Sequence, residues 1–333
     1  MTRVALDAMG GDRAPEEVVA GALQAAERGI EVTLFGPEGL DTGGLELVVS
    51  PSVIDMAEKP AEAVRAKADS SLVSAVRAVA HGRADAVVSA GNTGAMLAAG
   101  LVHLRRLPGV ARPAIAVPIP ARDGPSLLID GGANAEARAE HLFQFGVMGS
   151  VFAAEILGIP DPSVRLLSNG AEPEKGDPLR VEAHALLAAA ADLNFAGNIE
   201  AGALLKGAAD VVVSDGFTGN IALKLLEGTI KELLDLLRQE ISETTSGKLG
   251  GLLIRPAAAR IRARLDPDTY GGAYLLGLRG LAVVAHGDSG RRAIANAIAL
   301  AARGVEHRVV ERLGERLPAR VPREERASEL QDA

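Results

Sequence analysis

The sequence predicts an α/β protein built on a doubly wound, mostly parallel sheet. Short runs rich in Val, Ile and Leu alternate with longer segments whose apolar residues recur at helical spacing. Glycine turns follow five of the apolar runs, as expected where strands end and helices begin. The chain has 333 residues, of which 48% are hydrophobic, so it can fill one large core.

The first half of the chain follows this alternation closely. It is predicted to contain strands at 3–7, 31–35, 46–49, 113–118 and 126–130, a valine strand within 84–97, and helices at 16–28 and 70–81. A further helix should follow the turn at 91–94 and end near 107–109. Because parallel sheets bind ligands at the carboxyl ends of their strands, the glycine turns mark the expected site.

The second half repeats the pattern and then departs from it. It is predicted to contain helices at 137–157, from 178 to 187, from 219 to 241 and up to 301, and strands at 164–168, within 209–222 and at 281–285. Residues 242–265 break the alternation and predict a helical insertion, which Gly250-Gly251 and Pro256 should prevent from being one straight helix. Residues 1–317 are predicted to form a single catalytic domain, and 318–333 a mobile charged tail.

The composition excludes several classes of function. A formal net charge of -8 disfavours a general nucleic-acid-binding protein. The absence of cysteine excludes disulfides, thiolate metal ligands and a thiol nucleophile. No signal peptide and no run of about 18 apolar residues is present, so a cytoplasmic location is expected.

A stretch of fourteen residues occurs twice, at 84–97 and at 209–222, and eight of its positions are identical. Both copies, called the first and the second repeat below, have valines, then a Ser-x-Gly-x-Thr-Gly turn, then an apolar helical pattern. The turn glycines let a ligand approach the backbone, and the helix start offers free N–H groups and a positive dipole end. Each repeat therefore predicts an anion site, most simply for phosphate. The alternative is a pair of ordinary strand–turn–helix connections.

The residues that would line these sites lie in the two turns. They are Ser89, Gly91, Asn92, Thr93 and Gly94 in the first repeat and Ser214, Asp215, Gly216, Thr218 and Gly219 in the second.

Another candidate loop follows the first strand. Asp7 and Asp12 flank Gly10 and Gly11, where the aspartates could hold a ligand or orient a catalytic lysine. The alternative is a turn with a helix N-cap.

A further glycine turn precedes Asn134, and the helix after it contains His141 close to its start. His141 could act in the site or simply cap the helix. His286 follows the late strand in a third loop, His-Gly-Asp-Ser-Gly.

Lys175 is the candidate cation for a bound phosphate. It is one of only seven lysines and lies in a Gly/Pro-rich loop at a strand end. The alternative is a solvated lysine beside Glu172 and Glu174. The dinucleotide fingerprint, the phosphate loop, the serine hydrolase elbow and the zinc protease motif are all absent from the sequence.

Together these motifs resemble the acyl-(acyl carrier protein):phosphate acyltransferases of bacterial phospholipid synthesis, the PlsX family. The matching segments occur in order along nearly the whole chain, at 5–12, 89–94, 140–150, 175–176, 214–220, 270–273 and 285–287. The resemblance implies an α/β/α sandwich, a homodimer, and transfer of a fatty acyl group from acyl carrier protein to inorganic phosphate. It also implies that no metal and no organic cofactor takes part.

For this reaction the expected mechanism is direct attack of a phosphate oxygen on the acyl thioester. Lys175 is the expected catalytic cation, and Asn220 with the glycine-turn N–H groups would stabilise the oxyanion. His286 or His141 could protonate the departing thiolate, although a thiolate can leave without an acid. Two rivals remain: a nicotinamide-dependent decarboxylating dehydrogenase, and a non-catalytic phosphometabolite-binding or scaffold protein.

The segment 242–265 is expected to project and to touch a membrane, the acidic carrier protein, or both. Its apolar cluster is Leu249, Leu252, Leu253 and Ile254, and its arginines are Arg255, Arg260, Arg262 and Arg264. Apolar side chains with basic flanks suit a lipid interface with anionic head groups. The alternative is that these leucines pack into the dimer interface. The expected location is therefore cytoplasmic with peripheral membrane contact, within reach of a downstream membrane acyltransferase.

Overall fold

The computed structural model describes residues 1–122 and 124–317. The predicted tail at 318–333 lies outside the described residues. The strands are β1 (Arg3–Asp7), β2 (Glu31–Gly36), β3 (Glu46–Val49), β4 (Ala86–Ser89), β5 (Ala114–Ile119), β6 (Ser126–Ile129), β7 (Val164–Ser168), β8 (Phe195–Glu200), β9 (Val211–Val213), β10 (Ala273–Leu276) and β11 (Leu281–Val284). The α-helices are α1 (Glu16–Ala26), α2 (Pro60–Ala66), α3 (Ser71–Ala80), α4 (Thr93–Ala99), α5 (Ala139–Ile156), α6 (Pro178–Ala188), α7 (Gly216–Glu243), α8 (Thr245–Leu265), α9 (Arg291–Glu306) and α10 (Val309–Arg316).

The eleven strands form one sheet in the order β3-β2-β1-β4-β11-β10-β5-β6-β9-β7-β8. Neighbours are parallel except at β11–β10, β10–β5 and β5–β6. The two outer parts of the sheet are therefore each parallel within themselves and run in opposite directions. This confirms the predicted α/β fold with a mostly parallel sheet.

Helices cover both faces of the sheet. On one face α1, α5, α6, α9 and α10 share a core with alternate strand residues such as Val4 and Leu6. On the other face α2, α3 and α4 pack over the first part of the sheet, where Ala5 points. The base of α7 packs over the second part of that same face. The alternation of side chains along each strand thus supplies both cores.

Some elements differ from the prediction. The antiparallel strand β10 was not predicted, although Gly271-Gly272 precede its four residues and Gly277 follows them. The helix of the first repeat ends at Ala99 and continues as a π-helical turn, Gly100–Leu104, so it stops short of the predicted end. Gly100 packs against Leu278 of the β10–β11 connection.

The predicted insertion is a helical hairpin made of the outer part of α7 and all of α8. The hairpin turns at Thr244, whose hydroxyl accepts the Gly247 N–H at 2.9 Å. None of the residues of α8 is buried. The segment 242–265 is not one helix, as predicted, but its break lies at Thr244 and not at Gly250-Gly251 or Pro256, because α8 continues through all three residues. Proline removes one backbone hydrogen bond, and on an exposed helix water can bond the carbonyl left free.

A helix that spans a membrane must be long and continuously apolar, and the described helices lack this combination. None of them is both long and apolar enough to cross a bilayer.

Candidate active site

Two groups of three neighbouring parallel strands carry most of the predicted site residues at their carboxyl ends. In the first group β4, the strand of the first repeat, lies between β1 and β11. In the second group β9, the strand of the second repeat, lies between β6 and β7. On one side of each repeat strand is a strand that leads into an aspartate, Asp7 or Asp130. On the other side is a strand whose following loop carries a basic candidate, His286 or Lys175.

The two groups also share one register. Residue pairing between β1 and β4 places Asp7 beside Ser89. Pairing between β6 and β9 places Asp130 beside Ser214 in the same way. The fourteen-residue repeat is therefore part of a larger repeated unit, in which an aspartate strand lies next to a serine strand.

In the first group the polar atoms at the strand ends are bonded to one another. Ser89 Oγ donates to Asp7 Oδ2 at 2.7 Å and accepts the Gly91 N–H at 3.0 Å. Gly10 packs so closely on this cluster that a Cβ there would lie 2.6 Å from Asp7 Oδ2. Burial raises the pKa of Asp7, and hydrogen bonds from Ser71 and Ser89 offset part of the rise. This end of the sheet is a closed, satisfied cluster.

Asn92 is also fully engaged. Its Oδ1 caps the first turn of α4, and its amide donates to the carbonyls of Met56 and Glu58, both at 3.1 Å. Gly94 packs against α2, and Thr93 is exposed at the first position of α4. Asn92 therefore holds a neighbouring loop in place instead of presenting a free amide.

The loops after β1 and β11 close over each other. The Asp12 N–H donates to the Gly287 carbonyl at 2.7 Å, and Gly11, at a φ of +110°, approaches the same carbonyl. A side chain at Gly11 would be strained by this conformation. His286 is exposed, and its Nδ1 accepts the Asp288 N–H at 3.4 Å, so the proton of the neutral ring is on Nε2.

Asp130 is the centre of the second group, although the sequence did not single it out. It is fully buried, and its two carboxylate oxygens accept five hydrogen bonds. The donors are the N–H groups of Ile115, Gly132, Ala133 and Asn134 and the side-chain amide of Asn134. That amide also donates to the Pro113 carbonyl at 2.8 Å. Asn134, predicted to bind substrate, is thus a buried structural link.

The start of α7 is capped by the protein itself. Asp215 Oδ1 accepts the N–H groups of Phe217 and Thr218 at 3.0 and 2.9 Å. The Gly216 N–H donates to the Asn134 carbonyl at 2.8 Å. The prediction that these first-turn N–H groups are free for an anion is wrong, because the carboxylate of Asp215 supplies the anion.

Arg180 on α6 completes this arrangement, and it too was missed. Its guanidinium bonds Asp177 Oδ2 at 2.9 Å, Thr218 Oγ1 at 2.9 Å and the carboxylate of Asp215. Burial opposes the ionisation of Asp215, but hydrogen bonds from Thr218 and the charge of Arg180 outweigh it and hold the pKa below its ordinary value.

Three side chains of the second group have hydrogen-bond donors that bond no protein acceptor in the described residues. Over the described part of the chain, the buried Ser214 hydroxyl has no partner. Asn220 lies over Gly132, where a Cβ would be 3.5 Å from the Asn220 amide oxygen. Lys175 is exposed, and only its backbone is bonded, with its carbonyl accepting from the Ser168 hydroxyl at 3.1 Å. Lys175 and Asn220 are the donors that a substrate can use without displacing a protein group, whereas the Ser214 hydroxyl is fully buried behind the turn.

Two glycines of the second repeat explain why the turn is so tight. Gly219 presses on the Asp130 carbonyl and Gly216 on the Asn134 backbone, so neither position has space for a side chain. Their role is close packing of α7 on the neighbouring loop.

His141 lies at the start of α5 and takes part in its capping. Its Nδ1 accepts the Arg138 N–H at 3.1 Å, as the capping alternative expected. Burial, then the charges of Arg112 and Arg138, lower the pKa of His141. Because α5 packs on the face of the sheet opposite α4 and α7, the structure does not group His141 with the two repeats.

The two groups approach each other along α7. Burial raises the pKa of Glu227, while the nearby His286 and Lys224 act to lower it. Glu227 is on the second-repeat helix, and His286 belongs to the first group. The loop after β11 and the middle of α7 therefore face one another.

Within residues 1–122 and 124–317, no group of three or more His, Asp or Glu side chains is placed to hold a metal ion.

Sequence comparisons relate the chain to phosphate acyltransferases. The model of a family described as fatty acid synthesis protein matches residues 2–312. A phosphate acyltransferase of Desulfitobacterium hafniense (strain Y51) is 46% identical over 329 residues, which cover 96% of this chain and 98% of the relative. One from Heliobacterium modesticaldum is 43% identical over 331 residues, covering 96% and 98%.

Solved structures show the same fold at low sequence identity. A phosphotransacetylase from Streptococcus pyogenes superposes with a TM-score of 0.60 at 19% identity, covering 92% of this chain and 94% of that one. A branched-chain phosphotransacylase from Enterococcus faecalis V583 gives 0.60 at 18% identity, covering 92% and 100%. A 4-hydroxythreonine-4-phosphate dehydrogenase from Klebsiella pneumoniae gives 0.51 at 14%, covering 92% and 98%.

Proposed function

The chain belongs to the fatty acid synthesis protein family of phosphate acyltransferases, and from this premise we propose how its strand ends carry out the reaction. The protein transfers a fatty acyl group from acyl carrier protein to inorganic phosphate, giving an acyl phosphate for phospholipid synthesis. The observation that carries this function is the 46% identity to a phosphate acyltransferase over 96% of the chain. The runner-up dehydrogenase has only a shared fold, at 14% identity, in its favour.

Phosphate binds at the second group, where side-chain donors have no protein acceptor in the described residues. The N–H groups at the start of α7 already bond Asp215 and Asn134, so side chains must supply the contacts. Lys175 offers an ammonium with no protein partner in the described ranges, and such a cation suits a phosphate dianion. The unbonded hydroxyl of Ser214 is buried behind the turn and leaves this contact to Lys175.

The reaction needs no enzyme nucleophile because phosphate is itself a charged nucleophile. One of its oxygens attacks the thioester carbonyl carbon and forms a new C–O bond. The carbonyl oxygen takes up negative charge and is stabilised by the Asn220 amide, which in this state has no other acceptor among the described residues. Collapse of this intermediate breaks the C–S bond and releases the carrier thiolate. Binding both substrates side by side supplies much of the rate.

We propose that His286 returns a proton to the thiolate as an imidazolium, a form in which its Nδ1 gives up the bond from the Asp288 N–H. Because a thiol has a pKa of about 8.5, its thiolate leaves readily and the proton transfer contributes little to the rate. His286 therefore has a minor role, and Lys175 and Asn220 the major ones.

The α7 face supplies a dimer contact in this proposal. Exposed apolar side chains recur at helical spacing along it: Ile221, Leu225, Leu233, Leu236 and Leu237. A stripe of this kind on a soluble protein is typical of an interface. A second copy of the chain is the proposed partner, so Leu225→Ser with Leu237→Ser should shift the mass measured by light scattering from dimer to monomer.

The start of α8 is the proposed membrane contact, which gives a cytoplasmic protein with peripheral attachment. Leu249, Leu252 and Leu253 are 65%, 63% and 77% exposed, and the following turns carry arginines and no acidic residue. A lipid interface would bury these leucines and attract the arginines. The reactive acyl phosphate would then form where a downstream membrane acyltransferase can use it.

Replacing Leu252, Leu253 and Ile254 with Ser tests the membrane contact. Binding to anionic vesicles should be lost while the dimer and the activity in solution are preserved. Val102→Ser, at an apolar residue that is 58% exposed on another part of the surface, is the matched control. Unchanged vesicle binding, or dissociation of the dimer, would contradict the membrane assignment.

The reaction itself is tested with pure protein, an acyl carrier thioester and phosphate. Thiol release should depend on phosphate, with an acyl phosphate formed in equal amount. Thiol release that ignores phosphate would mean a thioesterase, and no release would leave only a binding protein.

A further inference from the structure

Arg180 is buried to an extent unusual for its type and has no place in the reaction just described. Only 8% of it is exposed, and it is the one arginine that is buried in residues 1–122 and 124–317. A buried arginine needs partners for its charge and its donors. Its partners are Asp177, Asp215 and Thr218, as described above.

Two of these partners are the N-caps of successive helices. Asp177 caps α6 by accepting the Arg180 N–H at 2.9 Å, and Asp215 caps α7. The two helices follow the neighbouring strands β7 and β9. One guanidinium therefore ties together two helix starts that are remote in sequence and adjacent in the sheet.

The proposed substrate-binding residues lie on either side of this tie. Lys175 is two residues before the cap of α6, and Asn220 is five residues after the cap of α7. Between Lys175 and the cap, Gly176 has a φ of +108°, and a Cβ there would be 2.5 Å from the Cβ of Arg180. Arg180 is thus packed directly against the backbone next to Lys175.

The rest of the Lys175 loop is held from its other side. The buried Asn198 amide donates to the Glu172 carbonyl at 2.8 Å, and the Lys175 N–H donates to the same carbonyl at 3.1 Å. The backbone of the loop is thus bonded at both ends, while the Lys175 side chain is exposed. The position of this loop relative to α7 is fixed by Arg180, which bonds the caps of both α6 and α7.

We propose that Arg180 is a positioning residue of the acyl transfer, which sets the distance between the Lys175 ammonium and the Asn220 amide by clamping the caps of α6 and α7. The proposal rests on the proposed function, in which Lys175 binds phosphate and Asn220 stabilises the oxyanion. The planar fork of arginine bonds several acceptors in fixed directions, and lysine cannot reproduce it.

Arg180→Met keeps the length of the side chain and removes the fork. Since a misplacement of about 1 Å can cost about 100-fold in rate, we expect kcat/KM for phosphate to fall about 10- to 100-fold at a temperature where the variant is folded. Arg180→Lys should retain the charge and the fold but recover little of the activity. Arg312→Met, which removes an exposed arginine paired with Glu155, is the control and should stay within twofold.

A double-mutant cycle separates positioning from stability. If Arg180 acts through Lys175, Arg180→Met should have little further effect on phosphate KM in a Lys175→Ala protein. The same cycle on kcat, with Asn220→Ala, tests the other side of the clamp. The proposal is overturned if the effects of Arg180→Met and of the second substitution multiply independently in both cycles. It is also overturned if folded Arg180→Met has kinetics within twofold of wild type. If Lys175→Ala alone leaves phosphate KM unchanged, the phosphate site is wrong, and the Asn220 cycle still decides on Arg180.

The pH profile gives a second readout, that of the charge which Arg180 holds beside Asp215. The charged groups around Asp215 are Arg180 from α6, Asp177 through that arginine, and Asp130 from the end of β6. Without Arg180 the pKa of Asp215 rises, so its cap is protonated at higher pH and the acid limb of kcat/KM should move to higher pH. Adding Asp215→Asn should abolish the new limb. An acid limb that stays in place in folded Arg180→Met overturns the clamp.

Discussion

The first and second repeats share eight of fourteen residues in the same register, but their strand ends form different hydrogen bonds. In the first, the serine hydroxyl is bonded to its aspartate and to a turn N–H, and the helix cap is Asn92. In the second, the cap has moved two positions earlier to Asp215, and the hydroxyl of Ser214 is left without a partner in the described structure. Sequence similarity between the repeats preserves the strand ends, while the hydrogen-bond partners decide which end can take a substrate. At the end of β9, side-chain donors remain without a protein acceptor in the described residues. At the end of β4, the polar groups bond one another.

The largest expected effect is at Asn220, compared with Asn92. Asn220→Ala removes the proposed oxyanion donor, so kcat should fall roughly 100-fold or more with little change in stability. Asn92→Ala removes a helix cap and two loop contacts, so it should cost about 1–2 kcal/mol of stability with kcat retained. Steady-state kinetics and urea unfolding of both variants make the comparison. A kcat loss of equal size in both would mean that the first repeat is also catalytic.

Next in size is the pair of loop residues at equivalent places, Lys175 and His286. Lys175→Ala removes a charged contact to phosphate worth about 1.5–3 kcal/mol, so phosphate KM should rise about 10- to 100-fold. His286→Ala should lower kcat by less than about fivefold, because the thiolate leaves without help. Phosphate titrations at saturating thioester measure both, with the exposed Lys206→Ala as the control. A larger loss at His286 than at Lys175 would reverse the assignment of the two groups.

The two serines should differ in stability. Ser89→Ala removes one hydrogen bond to the buried Asp7 carboxylate and leaves the Gly91 N–H without its partner, which costs about 1–3 kcal/mol. Ser214→Ala removes a hydroxyl that has no partner in the described residues, so its effect on unfolding should be near zero. Equal destabilisation by both substitutions in urea would show that Ser214 is bonded in the folded protein.

The smallest expected effect is a pair of opposite pH slopes. The pKa of Asp7 is raised above its ordinary 3.8, so its contribution to stability is present at low pH and is lost as the pH rises through the folded value. The pKa of Asp215 is lowered from 3.8, so its contribution is present above that value and is lost as the pH falls. Urea midpoints of Asp7→Asn and Asp215→Asn, each subtracted from wild type across pH 3–7, should therefore slope in opposite directions. Parallel slopes would contradict the different environments of the two carboxylates.

The sequence predicts the sheet class and the strand ends well because valine runs and glycine turns are local signals. Asp130 was within reach of the same reasoning, since an apolar strand followed by Asp and a Gly-Gly pair occurs at both Asp7 and Asp130. Arg180 was not, because its partner Asp215 is 35 residues away and only strand order brings them together. The caps were misjudged for a similar reason: Asp215 was read as a ligand for substrate, and its carboxylate bonds the helix start instead. The path of α8 through Pro256 depends on solvent exposure, which local sequence does not report.

The place of β10 and β11 in the sheet has a consequence for how the chain is made. Among the described strands, these two are the only link in the strand order between the part ending at β4 and the part beginning at β5. A chain synthesised from its N-terminus reaches residues 273–284 late, after both parts have emerged, and until then each part has an unpaired edge. The β10–β11 pair is therefore synthesised late, and its pairing with β4 and β5 joins two separate sheets into one. Folding of the first group, which needs β11 beside β4, is a long-range event with a high contact order.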